Sequence, residues 1–321
     1  MSEAIPTPDV NNVWRLETNN AAENWARSPY PDAERKYFMV SADGHVQEPK
    51  DVFKARIGEE YWHRLPGVSV DKAGDQFQKT EGFRPSKINL TKLDGEDAYR
   101  QASGRSPQAR LDDLAKDGVD AEILFPNLGL TVWATPDAEF SQMMCRAWNE
   151  WAWEEFGPYN HRLAPMACIA AGDIPGAIKE IERVAKLGFK GLALPCKPVW
   201  GPPNHEDLNY NLPEFDPLWA CISDVELPMT FHVSTGRDPR TSRGNGGAVI
   251  NYAVHSLAPT MEPIANFCAS GVLDRLGSAP ASGVSVRGGE RARARDADAL
   301  ARLDGAPRAH APQQRRPCNR R

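Results

Sequence analysis

Residues 109–126, ARLDDLAKDGVDAEILFP, decide the fold class. The stretch reads as a helix over roughly 108–117, a turn at Asp117-Gly118 and a short buried strand over Val119–Phe125. The same unit recurs downstream. A long amphipathic helix runs from Asp137 to about Phe156, with Phe140, Met143, Met144, Ala147, Trp148 and Trp151 on its apolar face. HRLAPMACI, 161–169, is strand-like. Asp173 caps a helix over 174–187, with Pro175 in its first turn, and Gly188 stops it. GLALP, 191–195, is the next strand, a helix follows from Glu214 to about Val225, and LPMTFHV, 227–233, is another strand. One more helical stretch spans Met261–Ala269. Upstream, the first strand is Tyr37–Ala42, ending in Asp43-Gly44-His45.

Short buried strands alternating with helices mean a parallel sheet covered by helices. A doubly wound sheet and a TIM-type (β/α)8 barrel both satisfy that pattern. A nucleotide-binding doubly wound sheet carries a Gly-rich turn after an early strand. Here the first strand ends in DGH, and GNGG at 244–247 lies in a polar loop without strand–turn–helix context. Polar, potentially ligating residues stand at strand ends, as barrel enzymes place them. The expected fold is therefore an α/β barrel. Strands one to five are recognisable within a domain over 36–275, which carries an insertion or lid with short helices at about 50–105. Residues 1–35 form a polar arm with Trp14 and Trp25 as anchors.

Composition sets outer bounds. Of 321 residues, 41% are hydrophobic and 25% charged, values of a globular protein rather than a disordered one. The formal charge of -5 gives no support to a nucleic-acid binder. No apolar run is long enough to cross a bilayer, and the acidic, polar N-terminus lacks a secretory pattern. The six cysteines form no CxxC pair, so they read as inert thiols of a cytoplasmic protein. The charge is unevenly spread. Residues 276–321 hold ten Arg, no Lys and four acids, a net of +6, against -11 for the first 275. Twenty of those 46 residues are Ala or Arg, and no aromatic follows Phe267. This Ala/Arg-rich tail reads as disordered, with the composition of GC-rich coding sequence read out of frame.

Asp43 and His45 are two apart at a strand end, and alternate residues of a strand face the same side. A carboxylate and an imidazole on one face begin a site for Zn, Mn or Fe. An Asp capping the next turn beside a hydrogen-bonded His is the competing reading. His232 closes the apolar run Leu227–Phe231 and meets the first pair only if the strands are parallel and their ends converge. A core histidine is the alternative there. Arg237, in the polar loop that follows, suits a substrate carboxylate. Asn127, after the 119–125 strand, is a further candidate pocket residue, and His255 in NYAVHSLAP is a candidate acid/base. His63, His161, His205 and His310 are weaker. Trp148, Trp151 and Trp153 read as packing rather than a cofactor box.

Five stretches carry a family resemblance: VSADGHVQEP (40–49), GRSPQARLDDLAKDGVDAEILFPNLGL (104–130), CRAWNEWAWEEFGPYNHRLAPMACI (145–169), GFKGLALP (188–195) and FDPLWACISDVELPMTFHVSTG (215–236). As an ordered set the chain resembles the amidohydrolase-related barrel enzymes, near the aminocarboxymuconate-semialdehyde and resorcylate decarboxylases. The resemblance implies a (β/α)8 barrel with one divalent metal, zinc first and Mn or Fe next. Asp43 and His45 match its first two ligands, and His232 matches the ligand on the fifth barrel strand. It also implies hydrolysis or non-oxidative decarboxylation of a small, carboxylated aromatic or cyclic substrate, in a homo-oligomer when the barrel is intact. The family's sixth-strand His and eighth-strand Asp have no counterpart in this sequence. GVLDR (271–275) looks like the approach to the sixth strand, after which the pattern stops. The expectation is a barrel sequence interrupted near Arg275, and a catalytically inactive, metal-binding or oligomerising fragment is the alternative reading.

Overall fold

The computed structural model describes residues 39–82, 85–87, 106–117, 119–198, 208–233, 235 and 242–275. The arm at 1–35, the tail at 276–321 and the loop residue Arg237 lie outside the described residues, as do His205 and His310. The first strand, β1 (Val40–Val46), continues through the DGH motif rather than ending before it. A tight 3-10 turn at Glu59–Arg64 leads to β2 (Gly67–Val70), β3 (Gln76–Lys79) and β4 (Ser86–Lys87). These three form a small antiparallel sheet inside the stretch expected to hold short helices.

Within 109–126 the described residues form the expected helix and strand. Helix α1 (Pro107–Lys116) starts at Ser106, whose hydroxyl accepts from the Ala109 N–H, with Pro107 in the first turn. Strand β5 (Ala121–Pro126) follows, then a 3-10 segment at Leu128–Ala134. Helix α2 (Ala138–Phe156) is capped by the Asp137 carboxylate. Next come β6 (Leu163–Pro165), β7 (Ala167–Cys168) and α3 (Ile174–Leu187). Asp173 caps α3, and Gly188 ends it at φ 103°, a left-handed conformation natural to glycine. Strand β8 (Leu192–Leu194), α4 (Asp216–Asp224) and β9 (Met229–Phe231) complete the regular alternation. The last described elements are α5 (Gly247–Tyr252), a π-turn at Ala253–Leu257, α6 (Glu262–Ala269) and α7 (Val272–Arg275).

The TIM barrel expected from the sequence is not what the described residues form. Their parallel strands make two open sheets, β1-β5-β6 and β7-β8-β9, with no closure. Closure needs strands beyond β9, which the described residues do not contain. GVLDR forms a helical turn, and the residues that follow it lie outside the described ones. Arg275 ties that turn down through Asp216 and the Ser270 carbonyl. The two sheets meet inside Leu163–Cys168. Met166 donates to Leu124 of β5, whereas Ala167 donates to Gly191 beside β8. Pro165 has the same parity as Ala167 but no N–H, so the second ladder begins only after it.

Asn149 of α2 serves the backbone at this handover. Its side chain donates to the Cys168 carbonyl and accepts from the Cys168 N–H, as a neighbouring strand would, and also donates to Glu180. Two apolar clusters flank the handover. One gathers Phe125, Trp133, Phe140, Trp148 and Trp151, and the other gathers Ile181, Phe215, Trp219, Phe231 and Phe267. The tryptophans of α2 are thus packing residues, with Trp153 against the second cluster. Cys145, Cys168 and Cys196 are buried free thiols. Among the described residues no helix is long and apolar enough to cross a membrane.

Candidate metal centre

Strand β1 does not run evenly past β5. Ser41 pairs with Glu122 and Gly44 with Leu124, so β1 has one residue too many between them. This bulge re-aims the residues that follow it. It also presses Gly44 against Glu122: a Cβ at Gly44 would lie 2.1 Å from Glu122 Oε1. The buried Glu122 is held by Arg110 of α1 at 2.7 Å, and Arg110 donates at 2.5 Å to the His45 carbonyl. The back of the motif is therefore fixed by α1 and β5.

On the other side, Asp43, His45 and His232 converge. His232 Nε2 lies 3.0 Å from Asp43 Oδ1 and 3.2 Å from His45 Nε2. His45 Nε2 is 3.6 Å from the same Asp43 oxygen. Each imidazole has its other nitrogen engaged: His45 Nδ1 donates to the Pro126 carbonyl at 2.9 Å, and His232 Nδ1 to the Val233 carbonyl at 2.8 Å. A carbonyl only accepts, so the Nδ1 atoms carry protons, and in the neutral form of each ring the Nε2 lone pair faces inward. Burial holds the His232 pKa below the ordinary histidine value, with His45 adding to the effect against the pull of the Val233 carbonyl and Asp43. Three acceptor atoms facing one another repel unless a cation lies among them. Bonds of ~2.1 Å at angles between 90° and tetrahedral separate donor atoms by roughly 3.0–3.4 Å, close to the spacings seen. The three residues thus form a group able to hold a metal ion.

The support behind His232 was not legible in the sequence. The fully buried Thr235 donates to the His232 carbonyl at 2.6 Å and accepts from the Cys196 N–H. The Cys196 thiol also meets that carbonyl, and burial pushes its pKa up to about 12, so it stays protonated. A Thr three residues after a candidate ligand was the available signal. Arg110 and Glu122 gave none, since their pairing depends on the register of β1 with β5.

The remaining candidates among the described residues are not part of that group of three. Asn127 is exposed just past β5, where its N–H donates to Glu48 and its side chain to Gln47. His255 is buried in the π-turn. His63 and His161 are exposed.

No curated protein matches the sequence. Among solved structures, the chain is similar to an amidohydrolase from Mycobacterium avium subsp. paratuberculosis K-10. That pair shares 17% identity at a TM-score of 0.61, over 83% of this chain and 76% of the other. It is also similar to the apo IDCase of Metarhizium anisopliae, at 13% identity and a TM-score of 0.51, over 74% of this chain and 62% of that enzyme. The chain thus spans less than two thirds of the second protein's length. At such identities the likeness speaks for the fold alone. The sequence profile of the amidohydrolase family matches residues 42–280, most of the chain and all three converging side chains, and the chain belongs to that family.

Proposed function

We propose that this chain is a divalent-metal-dependent enzyme whose metal is held by Asp43, His45 and His232. In this reading it hydrolyses, or decarboxylates without oxidation, a small carboxylated aromatic or cyclic substrate. One observation carries the reading: two imidazole Nε2 atoms and a carboxylate oxygen point at one another while both Nδ1 atoms are tied to carbonyls. A divalent cation bound there supplies Lewis acidity, to water for hydrolysis or to a substrate carboxylate for decarboxylation. Zinc is the first expectation, with Mn or Fe as alternatives.

The chain's own groups have distinct tasks. With a divalent cation bound, Asp43 would be the one anionic ligand beside two neutral imidazoles, and the site would keep net positive charge, which favours an anionic substrate. The Val233 carbonyl and Thr235 keep His232 from turning. His255 is the proposed acid/base, Arg237 the proposed grip on a substrate carboxylate, and Asn127 the proposed polar contact at the rim.

Metal analysis of the purified protein, then a panel of carboxylates and esters with and without chelator, tests the assignment. Carbon dioxide release without water consumption identifies a carboxy-lyase, and ester or amide cleavage a hydrolase. His232→Ala is expected to lose both the metal and turnover; retained metal at full rate sinks the ligand role. A second reading, a metal-binding but non-catalytic protein, is favoured by the open sheets of the described residues. One equivalent of metal without turnover on any carboxylate or ester would select it.

A further inference from the structure

Glu48 lies two residues beyond the end of β1 and is 1% exposed. Its Oε1 accepts from two backbone N–H groups, those of Asn127 at 3.0 Å and Gly129 at 2.8 Å. The site is built for this carboxyl: a Cβ on Gly129 would stand 3.0 Å from Glu48 Oε1 and 2.5 Å from the Pro126 side chain. The Asn127 N–H belongs to the same peptide unit as the Pro126 carbonyl, and that carbonyl accepts the His45 Nδ1 proton. One peptide plane is thus held by Glu48 on its N–H side while it holds His45 on its oxygen side. Its orientation decides which nitrogen of His45 keeps the proton and where Nε2 points.

We propose that Glu48 is the positioning residue for His45, acting through the Pro126–Asn127 peptide to lock the ring with Nε2 facing Asp43 and His232. The proposal rests on the metal-site reading, because a locked Nε2 matters there as a metal donor. Without Glu48, the Asn127 and Gly129 amides lose their acceptor and the peptide is free to tilt. The Nδ1 bond then weakens, and His45 populates both tautomers and other ring orientations. Outer partners of ligating histidines typically change metal affinity by ~10–100-fold.

The test uses the full chain, stripped of metal, in wild-type, Glu48→Ala, Glu48→Gln and Glu48→Asp forms. Two quantities are measured: the affinity for Zn or Mn by calorimetric titration, and the His45 tautomer from its imidazole nitrogen shifts in the metal-free protein. Glu48→Ala is expected to bind metal ~10–100-fold more weakly and to lose the single Nδ1–H tautomer. Glu48→Gln keeps an oxygen for both N–H groups and is expected to restore both properties. If Glu48→Ala does not fold, Glu48→Asp, with its carboxylate drawn back by one methylene, is expected to show the same two losses. Wild-type affinity and an unchanged tautomer in a folded Ala or Asp variant overturn the proposal. A wild-type protein that binds neither metal, yet loses the His45 tautomer on Glu48→Ala, sinks the metal reading and leaves the positioning role standing.

Discussion

Gly44 shows how one missing side chain serves the centre. A β-carbon there would collide with Glu122, and Glu122 could yield only by leaving its ion pair with Arg110 in a buried setting. Gly44→Ala is therefore expected to cost about 1–3 kcal/mol, the range of a small-to-large change in a packed site. Urea unfolding measures it, and a loss under a few tenths of a kcal/mol contradicts the packing argument. Because Arg110 also holds the His45 carbonyl, the same variant should weaken metal binding. The pairing of Asp43 with His45 was legible from the two-residue repeat of a strand. The bulge before Gly44 was not, because an extra residue leaves no mark in residue types when its cause lies on the neighbouring strand.

Elements were legible where local chemistry marks them. Asp137 and Asp173 cap α2 and α3 through their own side chains, and Gly188 supplies the left-handed stop. The antiparallel sheet β2-β3-β4 escaped notice for a physical reason. Its strands are two to four residues long, and Val68 and Val70 on β2 are both exposed, so no buried face writes an alternating pattern. What anchors that region is Arg64, bonded through two nitrogens to Glu81 and through a third to Asp137 at the start of α2. The Arg64 bond holds the Glu81 pKa below its ordinary 4.5. The Phe140 N–H, and then Arg64, hold Asp137 below its ordinary 3.8. Depressed carboxyl pKa values give stability that is full above the unfolded values and fades as pH falls through the folded ones. The melting-temperature gap between wild type and Arg64→Met should thus be constant near neutrality and narrow once pH drops below about 4.5. A gap that widens in acid would refute the assignment.

Asn149 of α2 makes a second prediction at this scale. Asn149→Ala strips a buried N–H and a buried carbonyl of Cys168 of their acceptor and donor, and leaves Glu180 short of one bond. A loss of about 2–4 kcal/mol is expected, since stranded polar groups cost ~1–3 kcal/mol each. Equilibrium denaturation of the variant checks this. An indifferent variant would mean that another group takes over the Cys168 backbone.

For the whole molecule, strand–helix alternation was enough to foresee parallel sheets, and short buried strands enough to place them under helices. Closure was not readable from that pattern, because it depends on strands beyond β9 that the described residues do not contain. The convergence of His232 with the DGH motif is present among the described residues without closure.

The handover at Met166 has a thermodynamic consequence. Asp43 and His45 belong to the sheet β1-β5-β6, whereas His232 follows β9 of the sheet β7-β8-β9. A cation gripped by all three would rivet one sheet to the other across Leu163–Cys168, the stretch that joins their ladders among the described residues. Binding at a hundredfold excess over the dissociation constant adds about 2.7 kcal/mol to folding. In scanning calorimetry the loaded protein should melt in a single sharp transition. Chelation should lower the midpoint and spread the transition as the two sheets lose their shared fastening. An endotherm indifferent to chelator would mean that no ion fastens them. With a cation held by Asp43, His45 and His232, the candidate metal centre would also be the seam by which two half-structures unfold as one.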